Sequence, residues 1–319
     1  MGESTTQFEP KTLLEAIRFF SDPAVCVHYL AERRWPDGPV CPKCGGKQHS
    51  YLSTRHLWKC RECKKQFSVK AGTIFEDSPL GLDKWLPAVW LLTSSRTGVS
   101  SMELHRSLGV TQKTAWFMTH RIRYAMQTGT FNKAVGQVEV DETFIGQKAR
   151  NMHKIVRSRK ITGTGGKDKT MVVGVLERGG TVRTTVIESR KKQTLQTHVK
   201  THVEPGAELF TDALKSYEGL DTEYVHQIVD HAVEYVKGHV HTNGMENFWS
   251  HLKRTIYGTY IFVMPFHLFR YLDEQSFRFN NRDMTDDLRF RLSLRTVSGR
   301  RLTYKQLTGK TPHTCRPQV

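Results

Sequence analysis

The chain has 319 residues, enough for more than one hydrophobic core, and 38% of them are hydrophobic, which is typical of a globular protein. Its 48 Lys and Arg residues outnumber 31 Asp and Glu residues, and the formal charge of +17 indicates a polyanionic partner, usually nucleic acid. The sequence contains no apolar run near the roughly 20 residues of a membrane-spanning helix, and its polar N-terminus is unlike a secretion signal. We therefore expect a cytoplasmic protein.

The pattern of apolar residues and turns predicts a mixed α/β protein, because strands, a hairpin and helices follow one another from residue 137 onward. A cysteine-rich module and a helical region precede them, and a basic segment with little periodicity ends the chain. We predict five regions, which in chain order are an N-terminal helical segment (1–38), a zinc ribbon (39–75), a helix-turn-helix region (80–128), an α/β domain (134–283) and a basic C-terminal tail (284–319).

The cysteine-rich module contains two Cys-x2-Cys pairs separated by fifteen residues. The first pair is Cys41 and Cys44, and the second is Cys60 and Cys63. Cysteine pairs at this spacing are typical of a tetrahedral zinc site, with four unligated thiols as the alternative. Because four thiolates leave no open coordination position, we expect this zinc to be structural.

Residues 97–126, TGVSSMELHRSLGVTQKTAWFMTHRIRYAM, are predicted to form a helix, a turn at Gly109 and a second helix that begins at a Thr111 cap. With the apolar positions packed inward, the second helix is expected to present outward a polar set of Gln112, Lys113, Trp116, His120 and Arg123. In a DNA-recognition helix the first residues reach base edges and later basic residues reach phosphate. A plain three-helix bundle is the alternative, but the net charge and the adjacent cysteine module favour DNA binding.

Three acidic residues are placed where a metal site could assemble. Asp141 belongs to the alternating strand VEVDETF, and Asp212 ends the apolar strand ELFTD. Glu246 belongs to the amphipathic helix VHTNGMENFWSHLKRTIYG (240–258), and Lys253, seven residues later, points the same way. Three carboxylates suit Mg²⁺ or Mn²⁺, and two such ions can activate a nucleophile and stabilise a leaving oxygen at a phosphodiester.

The neighbouring acids are not counted as ligands, because strand alternation is expected to send Glu139 and Glu142 to the face opposite Asp141. The following segment, QKARNMHKIVRSRKITGTGGKDK (147–169), contains many basic residues and a single acid, Asp168. We expect this segment to be a loop that becomes ordered on DNA, with a solvated linker as the alternative.

Four stretches of the chain together resemble a known family: CPKCGG…WKCRECKKQFSVKAGTIFEDS, VEVDETFIG, FTDALKSY and HTNGMENFWSHLKR…GTY. They are similar to insertion-sequence family 1595, whose transposases join a zinc ribbon to an RNase H-like DDE catalytic domain, and the resemblance covers roughly residues 25–282. It implies that Asp141, Asp212 and Glu246 are the catalytic metal ligands. It also implies that Lys253 acts at the catalytic site by contacting DNA phosphate, with Arg254 sharing the DNA contact.

The resemblance further implies an enzyme that binds the ends of its element and performs strand cleavage and transfer. Its expected cofactors are a structural zinc and two Mg²⁺ or Mn²⁺ ions, and its expected partner is double-stranded DNA. Because two ends must be brought together, we expect a homodimer or a larger assembly on DNA. Two alternatives stay open: a DNA-binding regulator with an inactive catalytic domain, and a nuclease that only hydrolyses.

Overall fold

The computed structural model describes residues 9–127, 132–147, 149–161, 163, 168–229 and 241–309. The helices are α1 (Leu13–Phe19), α2 (Pro23–Arg34), α3 (Leu82–Ser94), α4 (Ser101–Leu108), α5 (Gln112–Met126), α6 (Lys154–Lys160), α7 (Lys192–His202), α8 (Asn243–Thr255), α9 (Leu268–Asn280), α10 (Asp286–Arg295) and α11 (Tyr304–Leu307). The strands are β1 (His49–Leu52), β2 (Leu57–Cys60), β3 (Gln66–Phe67), β4 (Gln137–Ile145), β5 (Thr170–Glu177), β6 (Val182–Ile187), β7 (Glu208–Asp212) and β8 (Val225–Val229).

The chain forms two compact units. The N-terminal unit comprises the described parts of residues 1–126 and 281–316, and the catalytic unit comprises those of 127–280. Within the described residues, no helix is long and apolar enough to cross a membrane.

The zinc ribbon of the N-terminal unit is a three-stranded antiparallel sheet in the order β1-β2-β3. Its core is small and aromatic. Trp58 lies edge-on to Trp35 and stacks on Phe67, at centroid distances of 5.3 and 6.2 Å. A core of this size buries little apolar area, so the ribbon depends on its cysteines for stability.

The predicted first helix, the turn at Gly109 and the second helix that begins at a Thr111 cap are present as α4, Gly109 and α5. Ser100 caps α4 by accepting a hydrogen bond from the Glu103 amide, at 3.1 Å. Gly109 ends α4 with a φ of +63°, in the left-handed region where glycine has no steric penalty. The Thr111 hydroxyl accepts from the Thr114 amide at 3.2 Å, so Thr111 begins α5.

The segment predicted to be a basic tail with little periodicity instead folds onto the N-terminal unit, as far as residue 309. Helix α10 buries Phe290, which packs on Trp90 of α3 at a centroid distance of 4.9 Å. Farther along, the Thr296 hydroxyl donates to the Ala125 carbonyl at 2.6 Å, and Arg121 donates to the Leu302 carbonyl at 3.0 Å. This packing was not predicted from the sequence, because α10 has only a narrow apolar stripe among charged residues. The last ten residues lie outside the described residues.

The catalytic unit is built on a five-stranded mixed sheet in the order β6-β5-β4-β7-β8. Strands β4, β5 and β6 are antiparallel neighbours, whereas β4, β7 and β8 run parallel. Helix α7 packs through Leu195 and Val199 on one face of the sheet, together with Val138 and Val140 of β4. Helices α8 and α9 cover the other face. This arrangement is the predicted RNase H-like α/β domain, following a zinc ribbon.

Candidate active site and metal centre

The two aspartates are brought together by the pairing of parallel strands. Residues 137–139 of β4 pair with residues 208–210 of β7, in the register that sets Glu139 beside Phe210. The same register, continued by two residues, sets Asp141 beside Asp212, where the two strands no longer pair. Because parallel strands end at the same edge of a sheet, their side chains converge there.

Glu142 joins the two aspartates. Carboxylate oxygens of Asp141, Glu142 and Asp212 lie within 4.8 Å of one another, close enough to share a metal ion. Burial is the largest cause that raises the pKa of Asp141 to about 6 and that of Glu142 to about 7. The nearby Asp212 charge raises both pKa values further.

The exclusion of Glu142 from the candidate ligands was therefore wrong. Its carboxylate accepts hydrogen bonds from the Tyr217 hydroxyl and, at 3.3 Å, from the Arg190 guanidinium. Tyr217 packs with Val138 and Val140, so Glu142 does leave the strand on the face opposite Asp141, as alternation requires. Alternation fixes only where a side chain leaves the backbone, and the long Glu142 side chain still reaches the carboxylates at the edge of the sheet.

Helix α8 is attached to β4 at two points. The Glu139 carboxylate accepts from the Met245 amide at 2.9 Å, and the Asp141 carboxylate accepts from the Trp249 indole N–H at 3.0 Å. Glu139 therefore shares the face of Asp141, and its predicted placement on the opposite face was wrong, because residues two apart in a strand point the same way. Trp249 is buried, and its indole also orients Asp141.

Gly174 permits this close approach. It lies beside Asp141 on β5. A Cβ atom at this position would lie 2.2 Å from Met245 Cε and 2.8 Å from Trp249 Cζ2, distances that real structures do not tolerate. Any side chain at residue 174 would push α8 and the Trp249 indole away from Asp141.

A buried ion pair holds the start of α8. Arg178 donates through Nε to the Glu139 carboxylate at 2.8 Å and through a terminal nitrogen to the His241 carbonyl at 2.6 Å. The Arg178 guanidinium also lies 3.9 Å above the Phe210 ring. These contacts fix the chain at His241, two residues before α8 begins.

The carboxylates open into a cleft of about 420 Å³, lined by Asp141, Glu142, Thr143, Glu246, Trp249, Ser250 and Lys253. Glu246 and Lys253 are both exposed and both face this cleft, so the prediction that they point the same way is confirmed. Glu246 lies outside the group of three close carboxylates, on the α8 wall. The cleft combines acids that can bind a divalent cation with a lysine that can contact a phosphate.

The four cysteines of the N-terminal unit fit a zinc ion. All four sulfur atoms lie within 4.8 Å of one another, with Cys41 and Cys63 separated by 3.7 Å and Cys44 and Cys60 by 3.6 Å. Zn–S bonds of about 2.3 Å in a tetrahedron place sulfurs about 3.8 Å apart. Backbone amides of Cys44 and Lys43 lower the pKa of Cys41 to about 7, which favours the thiolate form that zinc binds.

Comparison with known protein families gives two matches. Residues 133–280 match the ISXO2-like transposase domain, the DDE domain of insertion-sequence family 1595, and residues 21–66 match the transposase zinc-ribbon domain of the same family. The chain belongs to this transposase family.

Two curated relatives agree with the assignment. The transposase is 27% identical over 251 residues to an uncharacterized protein in transposable element ISH50 of Halobacterium salinarum, a match that covers 75% of this chain and 84% of the relative. It is 31% identical over 108 residues to an uncharacterized transposase-like protein of Haemophilus influenzae, covering 34% of this chain and 87% of the relative. The zinc-ribbon match, together with the four close sulfur atoms, supports a structural zinc in this transposase.

The predicted DNA-contacting residues of α5 divide into two groups. Gln112 and Lys113 are exposed and Trp116 is half-buried. Arg123 is only 1% exposed and donates to the Thr119 hydroxyl at 3.1 Å, and His120 is fully buried. The prediction that these last two residues face outward was wrong, because the final turns of α5 are covered by packed chain, including the segment at Thr296.

Two other basic regions of the transposase are exposed. Lys253 and Arg254 occupy the last turn of α8. Residues 147–169 were predicted to be a loop. Within them, residues 154–160 form the short helix α6, whose side chains are all exposed. Residues 148, 162 and 164–167 lie outside the described residues. These surfaces are accessible to a polyanion.

Proposed function

We propose that this transposase binds the ends of its insertion sequence and catalyses metal-dependent cleavage and transfer of DNA strands. The observation that carries the proposal is the meeting of the Asp141, Glu142 and Asp212 carboxylates, two of which line a cleft together with Glu246 and Lys253. The transposase family supplies the reaction class, and the residues of the cleft supply the groups that such a reaction needs.

The carboxylates fit a divalent cation. Three acids within 4.8 Å of one another repel when ionised, and a bound cation removes that repulsion. Oxygen donors of this kind suit Mg²⁺ or Mn²⁺, and the family expectation is two ions. When bound, these ions supply Lewis-acid activation of the nucleophile and stabilise the leaving oxygen.

The side chains of the cleft have separate tasks. Asp141 is a ligand whose orientation is fixed by the Trp249 indole N–H. Glu246 is a ligand from the opposite wall, and Lys253 holds the phosphate that is to be cut. A water molecule or a 3′-hydroxyl attacks phosphorus in line, and the bond from phosphorus to the 3′-oxygen of the cut strand breaks. The attacking oxygen gives its proton to solvent water, and the leaving 3′-oxygen takes one proton from solvent water.

DNA is held by surfaces outside the cleft. In this proposal Gln112, Lys113 and Trp116 at the start of α5 read the element end, as the first residues of a recognition helix do. Lys253 and Arg254 contact phosphates near the cut, and α6 adds a basic surface. In this proposal the protein acts in the cytoplasm, bound to DNA. Because two element ends must be brought together, it acts as a homodimer or a larger assembly.

The proposal is tested by a transposition assay in cells, with a selectable marker flanked by the DNA that borders this gene. We expect the wild-type protein to move the marker and Asp212→Asn to leave it in place at equal protein level. A matched control is Asp221→Asn, which changes an exposed acid of the same unit outside the carboxylate group and retains movement. Movement by Asp212→Asn would contradict the proposal.

A further inference from the structure

An exposed apolar ridge follows helix α8. It consists of Ile261, Phe262, Met264 and Phe266, which are 69, 47, 57 and 43% exposed. Large apolar side chains clustered at such exposure are unusual on a monomeric surface and indicate a binding partner.

The base of the ridge is fixed, although its tip is exposed. Val263 is buried in the core cluster beneath α8 and α9. The Tyr257 hydroxyl donates to the Gly146 carbonyl at 3.0 Å, and the Tyr260 hydroxyl donates to Glu274 at 2.6 Å. A π-helical turn, Ile256–Tyr260, leads into Ile261, whose φ is +63°. A β-branched residue is strained in that conformation, and such strain concentrates at functional segments.

The ridge continues the wall of the catalytic cleft. Glu246, Ser250 and Lys253 of α8 line the cleft, and Tyr257 lies one further turn along the helix. Gly146, which Tyr257 contacts, is five residues past Asp141 on an extended strand, so about 16 Å separates it from the carboxylates. A DNA strand cut at Asp141 and running along α8 reaches the ridge after about five base steps.

The charge around the ridge favours a polyanion over a second copy of this protein. Residues 247–272 contain no Asp or Glu, whereas Lys253 and Arg254 lie in the helix that leads to the ridge. Apolar side chains beside a basic helix end are the combination that DNA-bending proteins use when they insert Ile, Met or Phe between base steps.

We propose that the tip of the ridge, at Ile261, Phe262 and Met264, is a wedge that enters the DNA duplex about five base steps from the cut and unstacks a base step there. The inference rests on the proposed function, since it requires DNA in the cleft. Opening the duplex at this point frees the strand to bend toward the carboxylates. The rigid base and the protruding tip suit insertion, because a flexible loop would lose more conformational entropy when it entered the duplex.

The test uses full-length protein and short duplexes of the DNA that borders this gene, each with one adenine replaced by 2-aminopurine, a base that brightens when it is unstacked. With wild-type protein and Mg²⁺ replaced by Ca²⁺, we expect brightening that is largest about five base steps from the cut. The triple variant Ile261→Ser, Phe262→Ser, Met264→Ser is expected to bind within about twofold of wild type and to give no brightening.

Matched variants separate the wedge from other roles. Val225→Ser with Ile228→Ser removes apolar side chains of similar exposure, 58 and 52%, from β8 of the same unit, and it should brighten the probe normally. Phe262→Leu keeps an apolar tip and should also brighten it. Thermal melts of each variant establish that it is folded.

Four results would overturn the inference. Wild-type binding without brightening, or brightening that survives the triple substitution, excludes the wedge while leaving the proposed function intact. Loss of self-association in the triple variant without DNA, at unchanged brightening, assigns the ridge to a contact between copies. Failure of the wild-type protein to bind the duplexes overturns the proposed function and the wedge with it.

Discussion

The zinc centre and the carboxylate cleft are both candidate metal sites, but they are assembled in different ways. The zinc ligands come from two short turns of one ribbon, Cys41 to Cys44 and Cys60 to Cys63. The carboxylates come from two strands and a helix, at residues 141, 142, 212 and 246. A site made by local spacing is visible in a sequence, whereas a site made by strand register depends on the whole fold.

The two sites also differ in what a metal does for the protein around them. The ribbon has only a small aromatic core, so its four thiolates and their ion hold it together. The catalytic unit has apolar clusters on both faces of its sheet and folds without a metal. Loss of metal should therefore unfold the first site and only inactivate the second.

The largest effect is expected from breaking the zinc centre. Cys60→Ser removes one of four thiolates and should reduce bound zinc from one equivalent to nearly none, as measured by elemental analysis. Without the ion, the first melting transition, that of the N-terminal unit, should fall by about 10 °C or more. Cys315→Ser, which lies outside both Cys-x2-Cys pairs, should change neither quantity. Full zinc content in Cys60→Ser would contradict the four-cysteine site.

A smaller effect is expected at the close contact between β5 and α8. Gly174→Ala places a Cβ atom against Met245 and Trp249, and overpacking of this kind costs about 1–3 kcal/mol of unfolding free energy. Strand transfer should fall further than stability, because the Trp249 indole moves away from Asp141. Gly258→Ala, where a Cβ atom meets nothing within 4 Å, is the control for denaturant melts and transfer assays. If the two variants behave alike, Gly174 is not required for the position of the Trp249 indole at Asp141.

The carboxylates also predict a dependence of stability on pH. The pKa values of Asp141, about 6, and Glu142, about 7, lie above those of the unfolded chain, so the folded protein binds more protons between about pH 4 and 7. The contribution of these two acids to the free energy of unfolding without metal therefore falls as pH rises through this window. The buried His198, whose pKa burial lowers to about 3, contributes in the opposite direction.

For metal-free protein, the melting temperature of the catalytic transition at pH 5.5 minus that at pH 8 should be about 5 °C smaller in Glu142→Gln than in wild type, because the variant lacks this carboxyl. Mn²⁺, which offsets the negative charge, should change the wild-type difference in the same direction. An unchanged difference in Glu142→Gln would contradict the assigned burial of Glu142.

The smallest effect is expected from Lys253, which is exposed and has no structural task to lose. Lys253→Ala should reduce strand transfer by about tenfold and lower the salt dependence of DNA binding by about one unit of slope. Its melting temperature should match wild type. The control is Lys200, an exposed lysine of α7 that pairs with Glu223. Lys200→Ala should change neither strand transfer nor the slope of the salt dependence. Equal thermal and catalytic losses in Lys253→Ala would indicate a structural role instead.

Much of this molecule could be predicted from local patterns. The cap at Thr111, the turn at Gly109 and the spacing of the cysteines each act over a few residues, and each is confirmed. The strand and helix periods from residue 137 onward also predicted a mixed α/β domain, and the family resemblance implied that it is RNase H-like.

The errors arose where distant segments meet. Arg123 was assigned to the outside of α5, and the packing of the chain near Thr296 against that end of the helix is not visible in the local period. Glu142 was excluded by alternation along β4, but its partners, Tyr217 and Asp212, follow it by 75 and 70 residues. Neither of these two Glu142 contacts could be predicted without the register that sets β7 beside β4.

The central claim is that the carboxylate group at Asp141, Glu142 and Asp212 binds the divalent metal of a transposase. Titration of Mn²⁺ into zinc-loaded protein, followed by calorimetry, tests it most directly. We predict binding to wild type that Asp212→Asn abolishes and Glu142→Gln weakens by about tenfold or more, while Asp221→Asn binds as wild type does. Unchanged Mn²⁺ affinity in Asp212→Asn would contradict the account.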